Sequence, residues 1–183
     1  MNEESINKEM KLSPHFKLGE LCKTSYYTTD GNIPSHVAIE NLKNICENWL
    51  EDLRYSYNVL YGEGRPLTQV SDPSAESRRL HLGQTPSELD DIPIVISSGY
   101  RSEEVNRKCG GAKGSNHLTG CAVDIRCYGP EHMIRMAGIL LDIADGTHRE
   151  FDELIQEQRD TTYWIHFAVR PKGNRRKILF DCR

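Results

Sequence analysis

Apolar residues fall into blocks whose spacing changes along the chain, and each spacing predicts an element. In SHVAIENLKNICENWLEDLR, Ala38, Leu42, Ile45, Cys46, Trp49 and Leu53 recur three or four apart behind Ser35, the pattern of one helix face with an N-cap. PEHMIRMAGILLDIAD predicts a second helix: Pro130 opens it, Met133, Met136, Ala137, Leu140, Leu141 and Ala144 share one side, and Gly146 lies beyond its end. The remaining blocks are shorter and strand-like: IPIVISS, CAVDIRC, FDELIQE, YWIHFAV and RKILF. In YWIHFAV, alternation puts Ile165, Phe167 and Val169 on one face and Trp164, His166 and Ala168 on the other. Helices before and between strands of mostly hairpin-like spacing indicate an α+β fold, a small mostly antiparallel sheet with helices packed on one face.

The polar stretches divide the chain. Residues 1–14 read as a disordered or frayed N-terminus, and 15–183 as a single domain with a polar insertion at 55–91, where periodicity fails and Gly, Pro, Ser and charge take over. A length of 183 residues allows little more than one domain. Hydrophobic residues make up 37%, a low share consistent with a core plus polar appendages. Lys and Arg number 23 against 27 Asp and Glu, a net charge of −4, so no nucleic-acid partner is expected. No apolar run is long enough to span a membrane, and the N-terminus has no secretory apolar segment; a cytoplasmic product at synthesis is the expectation, as is a monomer. The six cysteines include no CxxC pair and read as mostly free thiols.

Three polar residues stand where a hydrophobic pattern would exclude them. His117 precedes Gly120, Asp124 interrupts the strand CAVDI, and His166 interrupts YWIHFAV. Two imidazoles and a carboxylate suit zinc, which in catalytic sites takes three protein ligands and leaves a fourth position open. A strand Asp without a partner costs several kcal/mol in desolvation, roughly, and a metal removes that cost. The alternative is a set of hydrogen-bonded structural residues. The other histidines (15, 36, 81, 132 and 148) lack such context. Cys109-Gly110-Gly111-Ala112-Lys113-Gly114-Ser115 is not a phosphate loop, because the order is Lys-Gly-Ser and not Gly-Lys-Ser; its glycines shape a turn that presents His117.

Ser98-Gly99-Tyr100-Arg101-Ser102, Asn106, Gly110-Gly111, the run Ser115-Asn116-His117-Leu118-Thr119-Gly120-Cys121-Ala122-Val123-Asp124, and Trp164-Ile165-His166 together resemble the SGYRS, SxHxxGxAxD and WxH signatures of the zinc D-Ala-D-Ala peptidases. That family includes peptidoglycan D,D-carboxypeptidases, the D,D-dipeptidases of vancomycin resistance and the L-alanyl-D-glutamate endolysins of bacteriophages. HFKLGELCKTS and IPSHVAIENLKNICENWLEDLR are similar to the start of the branch found in gut bacteria and their phages, so the resemblance covers about residues 15–54 and 92–170. It implies a hedgehog-like zinc fold, Zn²⁺ on His117, Asp124 and His166, and a peptidoglycan stem peptide as substrate.

The resemblance also assigns roles. Arg101 matches the arginine that binds substrate and stabilises the developing oxyanion, for which a permanent planar cation is suited; an ion pair holding its loop is the other reading. Ser115 corresponds to a substrate-binding serine or to a cap. Trp164 forms a wall of the cleft or is structural only. Many members carry an acidic residue three positions before the last histidine, but here that position is Tyr163, a poor base at neutral pH. Phe151-Asp152-Glu153-Leu154-Ile155-Gln156-Glu157 is similar to the strand that carries the glutamate in hedgehog-type domains, so Glu157 is the expected general base, with Glu153, Asp152 and Asp160 as alternatives. The implied activity is zinc-dependent hydrolysis of a stem-peptide bond, D-Ala-D-Ala or L-Ala-D-Glu, with action on the cell wall after release if the protein is an endolysin. A zinc-bearing wall-targeting or virion module without hydrolysis is the competing reading, favoured by Tyr163.

Overall fold

A computed structural model describes residues 7–62 and 92–182. Ser35 caps the first long helix as expected, its hydroxyl accepting from the Ala38 N–H at 3.2 Å. After the short α1 (Leu18–Leu21), helix α2 (His36–Ile45) passes through a π-helical turn at Cys46–Leu50 into α3 (Glu51–Tyr61). The wide turn lets both Trp49 and Leu50 join Leu42, Ile45, Cys46 and Leu53 in the core. Beyond it come β1 (Ile96–Ser98), α4 (Glu103–Lys108), a 3₁₀ turn (Asn116–Thr119) and β2 (Ala122–Cys127). Helix α5 (Pro130–Thr147) and strands β3 (Glu153–Arg159), β4 (Thr162–Ala168) and β5 (Lys177–Cys182) complete the chain.

The five strands form one sheet in the order β1-β2-β4-β3-β5, antiparallel except for the β3–β5 pair. The fold is α+β, as the periodicities indicated. The sheet's two faces do different work. Val123, Ile125, Leu154, Ile165 and Phe167 are fully buried on one face, where Trp49 packs on Phe167 at 4.9 Å between ring centres and edge-on to Phe151 at 6.2 Å. Helix α5 covers the same side with Met133, Met136 and Leu140. The other face carries Asp124 and His166, directly opposite each other across β2 and β4.

Several boundaries move. Ordered structure reaches back into the stretch expected to be frayed (1–14): Leu12 and Ser13 are buried, Lys11 bridges Lys17, and the Ser13 hydroxyl and His15 both bond Glu51. Residues 1–6 lie outside the described residues. The first helix runs six residues past Tyr55, because Tyr57 and Asn58 are buried on it; most of the expected insertion, 63–91, lies outside the described residues. The Asn58 side chain accepts from Ile92 N–H at 2.7 Å and donates to Ile92 C=O at 3.0 Å, tying helix α3 to the chain that leads to β1. Gly146 lies inside α5 rather than beyond it, and His148 takes the left-handed cap position with φ 56°. Five cysteines, 22, 46, 109, 121 and 127, are free thiols, in line with the reading of their spacing. Among the described residues, no helix is long and apolar enough to cross a membrane.

Candidate metal centre

The loop that carries His117 is fixed by two glycines whose neighbours leave no room for a side chain. A Cβ on Gly99 would sit 2.3 Å from the Leu21 carbonyl oxygen, and one on Gly120 would sit 2.3 Å from that of Ala38. Gly120 also has φ 70°, in the left-handed region that disfavours side chains. Between them, Asn32 anchors the SGYRS turn: its Oδ1 accepts from Ser102 N–H at 2.7 Å, and its Nδ2 donates to the Cys22 carbonyl at 2.9 Å. Ser102 in turn caps α4, and Ser115 caps the 3₁₀ turn by accepting from the His117 N–H at 3.3 Å.

This scaffold brings three ligand-type atoms together. His117 Nε2 lies 3.2 Å from Asp124 Oδ1 and 3.2 Å from His166 Nδ1, and the latter two are 3.0 Å apart. All three residues are buried. Each ring's second nitrogen settles its tautomer. His117 Nδ1 is 2.6 Å from the Gly99 carbonyl oxygen, which can only accept, so Nδ1 carries the hydrogen and Nε2 presents a lone pair. His166 Nε2 faces Glu153 Oε2 at 3.5 Å, which leaves Nδ1 for the cluster. Three ligand atoms this close are held together either by a proton on His166 Nδ1 or, once that proton leaves, by a cation between them.

Its size can be tested. Ligands about 2.0–2.1 Å from a tetrahedral ion are about 3.3 Å apart, close to the 3.0–3.2 Å triangle here. The residues therefore fit zinc. The same demand shows in the titration of the cluster. Burial favours a neutral His166, yet its hydrogen bonds to Asp124 and Glu153 raise its pKa to about 9. Burial opposes charge on Asp124 as well, but the two imidazoles hold its carboxyl far below the usual range. Burial pushes the His117 pKa down, keeping a second ring neutral.

The remaining expected residues divide. Arg101 lies in the site: its guanidinium is paired with Asp124 Oδ2, and its Nε donates to Ser98 Oγ at 2.9 Å. The ion-pair reading of Arg101 thus has a specific partner, one of the clustered acids. Glu157 and Glu153 both stand on the site face of β3, two residues to either side of Ile155, which is opposite His166. Burial, then the charge of Asp124, pushes the Glu157 carboxyl up, while a hydrogen bond from Trp164 works against it. Glu153 is the reverse: its bonds to His166 and Lys177 overcome burial and hold its pKa at about 2. Lys177 Nζ is 3.1 Å from it, Arg175 3.0 Å, and Asn116 Nδ2 donates at 3.2 Å. Asp152 is fully buried and bound by Arg175 at 2.7 and 2.8 Å, Arg170 at 3.1 Å and Asn116 at 2.9 Å. Asp160 is exposed on the β3–β4 turn.

Sequence reasoning missed the hub formed by Asn116, Asp152, Glu153 and Arg175. Its only trace was Asn116 beside His117, with nothing to show that residues from β3 and the approach to β5 would meet there. Tyr163 proves to face the other way. The β2–β4 register advances residue by residue from Cys127↔Tyr163 to Asp124↔His166, so Tyr163 shares the face of Ile165 and packs against the core.

No curated protein matches the chain. The sequence model of the family described as Peptidase M15 matches residues 65–154, a stretch that holds Arg101, Ser115, His117, Asp124 and Glu153 and stops short of β4. Two of the three residues of the buried His-Asp-His cluster lie inside that stretch and His166 completes it, and the match supports membership of the Peptidase M15 family.

Proposed function

We propose that this peptidase is zinc-dependent and hydrolyses a peptide bond in peptidoglycan stem peptides, either terminal D-Ala-D-Ala or L-Ala-D-Glu. The observation that carries the reading is the convergence of His117 Nε2, Asp124 Oδ1 and His166 Nδ1 within 3.2 Å, beside a half-buried glutamate with a raised pKa. Zinc held by these three residues would polarise the scissile carbonyl and bring the pKa of water in the site towards about 7.

The chain's own groups do the rest. Glu157 is the general base: its carboxylate takes a proton from the attacking water and returns it to the leaving amine nitrogen. A carboxyl raised above its ordinary value is better matched to both transfers than one held at about 2, which sets Glu157 above Glu153. A hydrogen bond from the Trp164 indole would aim the Glu157 carboxylate, giving Trp164 a polar task as well as a place at the cleft wall. Arg101, fixed on Asp124 and Ser98, turns its remaining N–H groups to the developing oxyanion. Ser115 shapes the His117 turn and leaves its hydroxyl hydrogen for substrate.

The test is product analysis. Purified muropeptides incubated with the zinc-loaded protein should lose one terminal alanine, or be cut between L-Ala and D-Glu, as mass spectrometry distinguishes. A protein that binds zinc stoichiometrically and releases neither product from any stem peptide or sacculus would refute hydrolysis and leave the wall-targeting or virion module.

A further inference from the structure

Strand β5 is anomalous. It is the outermost strand of the sheet next to β3, and it exposes three consecutive large apolar residues: Ile178 at 47%, Leu179 at 44% and Phe180 at 59%. Lys177 N–H donates to the Asp152 carbonyl at 2.9 Å, so the backbone groups of Lys177, Leu179 and Asp181 turn towards β3. By alternation, those of Ile178 and Phe180 turn to the open edge, where no described strand meets them. Edges of this kind are usually short, charged or covered, because they are templates for pairing with another chain.

We propose that β5 is a dimer seam, paired antiparallel with β5 of a second copy about a two-fold axis at Leu179. The strand is self-complementary in that register and poorly so in its neighbours. Lys177 stands opposite Asp181 of the second copy, Ile178 opposite Phe180, and Leu179 opposite itself. Both ends then carry opposite charges across the seam, and the exposed apolar residues form two cross-strand pairs. The same register lets Ile178 and Phe180 exchange their edge N–H and C=O groups with the second copy, four hydrogen bonds in all. Moving the axis by one residue sets Leu179 against Lys177 or Asp181. The two five-stranded sheets become one of ten strands, with both candidate metal centres on the same face. This departs from the monomer expected from sequence and is independent of the peptidase chemistry.

Sedimentation of the full chain tests the seam. A species of twice the 20.9 kDa chain mass is expected, and Phe180→Lys, which sets a charge against Ile178 of the second copy, should raise the dimer dissociation constant at least tenfold. Leu179→Cys gives a reading specific to the register. Residues on the axis form a non-hydrogen-bonded pair with Cα atoms about 4.5 Å apart, within the range a disulfide spans. Mild oxidation should therefore link Leu179→Cys into covalent dimers well ahead of wild type and of Val37→Cys, an exposed control on α2. A wild type that stays monomeric at every concentration would overturn the proposal. So would Phe180→Lys dimerising like wild type, Leu179→Cys linking no faster than the control, or a monomer whose Ile178 and Phe180 amides are protected from exchange by another segment of the chain.

Discussion

Two glutamates flank the position opposite His166, and replacing each with glutamine should damage the protein in different ways. Glu153→Gln keeps the shape of a side chain that is only 14% exposed but removes the charge facing His166 Nε2 at 3.5 Å. Two unit charges at that distance interact by about 5 kcal/mol at an effective dielectric constant of about 20. Only the part that differs between the metal-bound and free ring counts towards affinity, and Lys177 and Arg175, 3.1 and 3.0 Å away, already offset the carboxylate. The loss should therefore lie within the range seen for partners of metal-binding histidines, about 10–100-fold in zinc affinity or about 1.4–2.7 kcal/mol. Turnover at saturating zinc should stay within a few-fold of wild type. Glu157→Gln should do the opposite: zinc affinity is retained and turnover falls by roughly 10²–10⁴. Zinc competition against a chromogenic chelator, with muropeptide turnover at saturating zinc, reads both quantities. If Glu153→Gln bound zinc as wild type does and abolished turnover, Glu153 would be the base and the assignment from pKa direction would be wrong.

Two further outcomes follow from the same geometry. Gly120→Ala forces a Cβ to within 2.3 Å of the Ala38 carbonyl at a left-handed φ, so it should lower both the melting temperature and zinc affinity by displacing His117; a variant matching wild type in both would show that the loop moves freely. For the metal-free protein, His166 titrates higher folded (about 9) than unfolded (about 6.5), so its contribution to stability is complete below about 6.5 and lost as pH rises through about 9. Deprotonation frees Nδ1, so the rise in melting temperature on adding zinc should grow over that window while the chelated protein becomes less stable. A chelated protein whose melting temperature is the same at pH 6 and pH 9.5 would contradict the charged cluster.

What could be read from sequence was what period and local chemistry determine. The spacing from Ala38 to Leu53 and the alternation in YWIHFAV reappear as buried faces, and the Ser35 cap reappears as a hydrogen bond to the Ala38 N–H. What could not be read depends on contacts distant along the chain. The parallel return of β5 beside β3, the Asn58–Ile92 tie and the different surroundings of Glu153 and Glu157 all depend on partners that no local pattern announces. Alternation alone makes the two glutamates equivalent; hydrogen bonds from His166 and Lys177 lower the pKa of Glu153, and burial near Asp124 raises that of Glu157.

Tyr163 shows how far a position can be read without its strand register. Its place three before His166 suggested a lost base and hence a chain that only binds. In the sheet, four consecutive pairs from Cys127↔Tyr163 to Asp124↔His166 leave no bulge, so position 163 faces the helices while 164 and 166 face the site. A carboxylate there would meet the edge of the core rather than water in the cleft, and an unpaired, partly buried charge is destabilising or is neutralised by protonation. Tyr163→Glu should accordingly lower the melting temperature, and added to Glu157→Gln it should restore no turnover. Recovery of even a tenth of wild-type turnover in the double variant would mean that position 163 can reach the site, and that the base is not confined to β3.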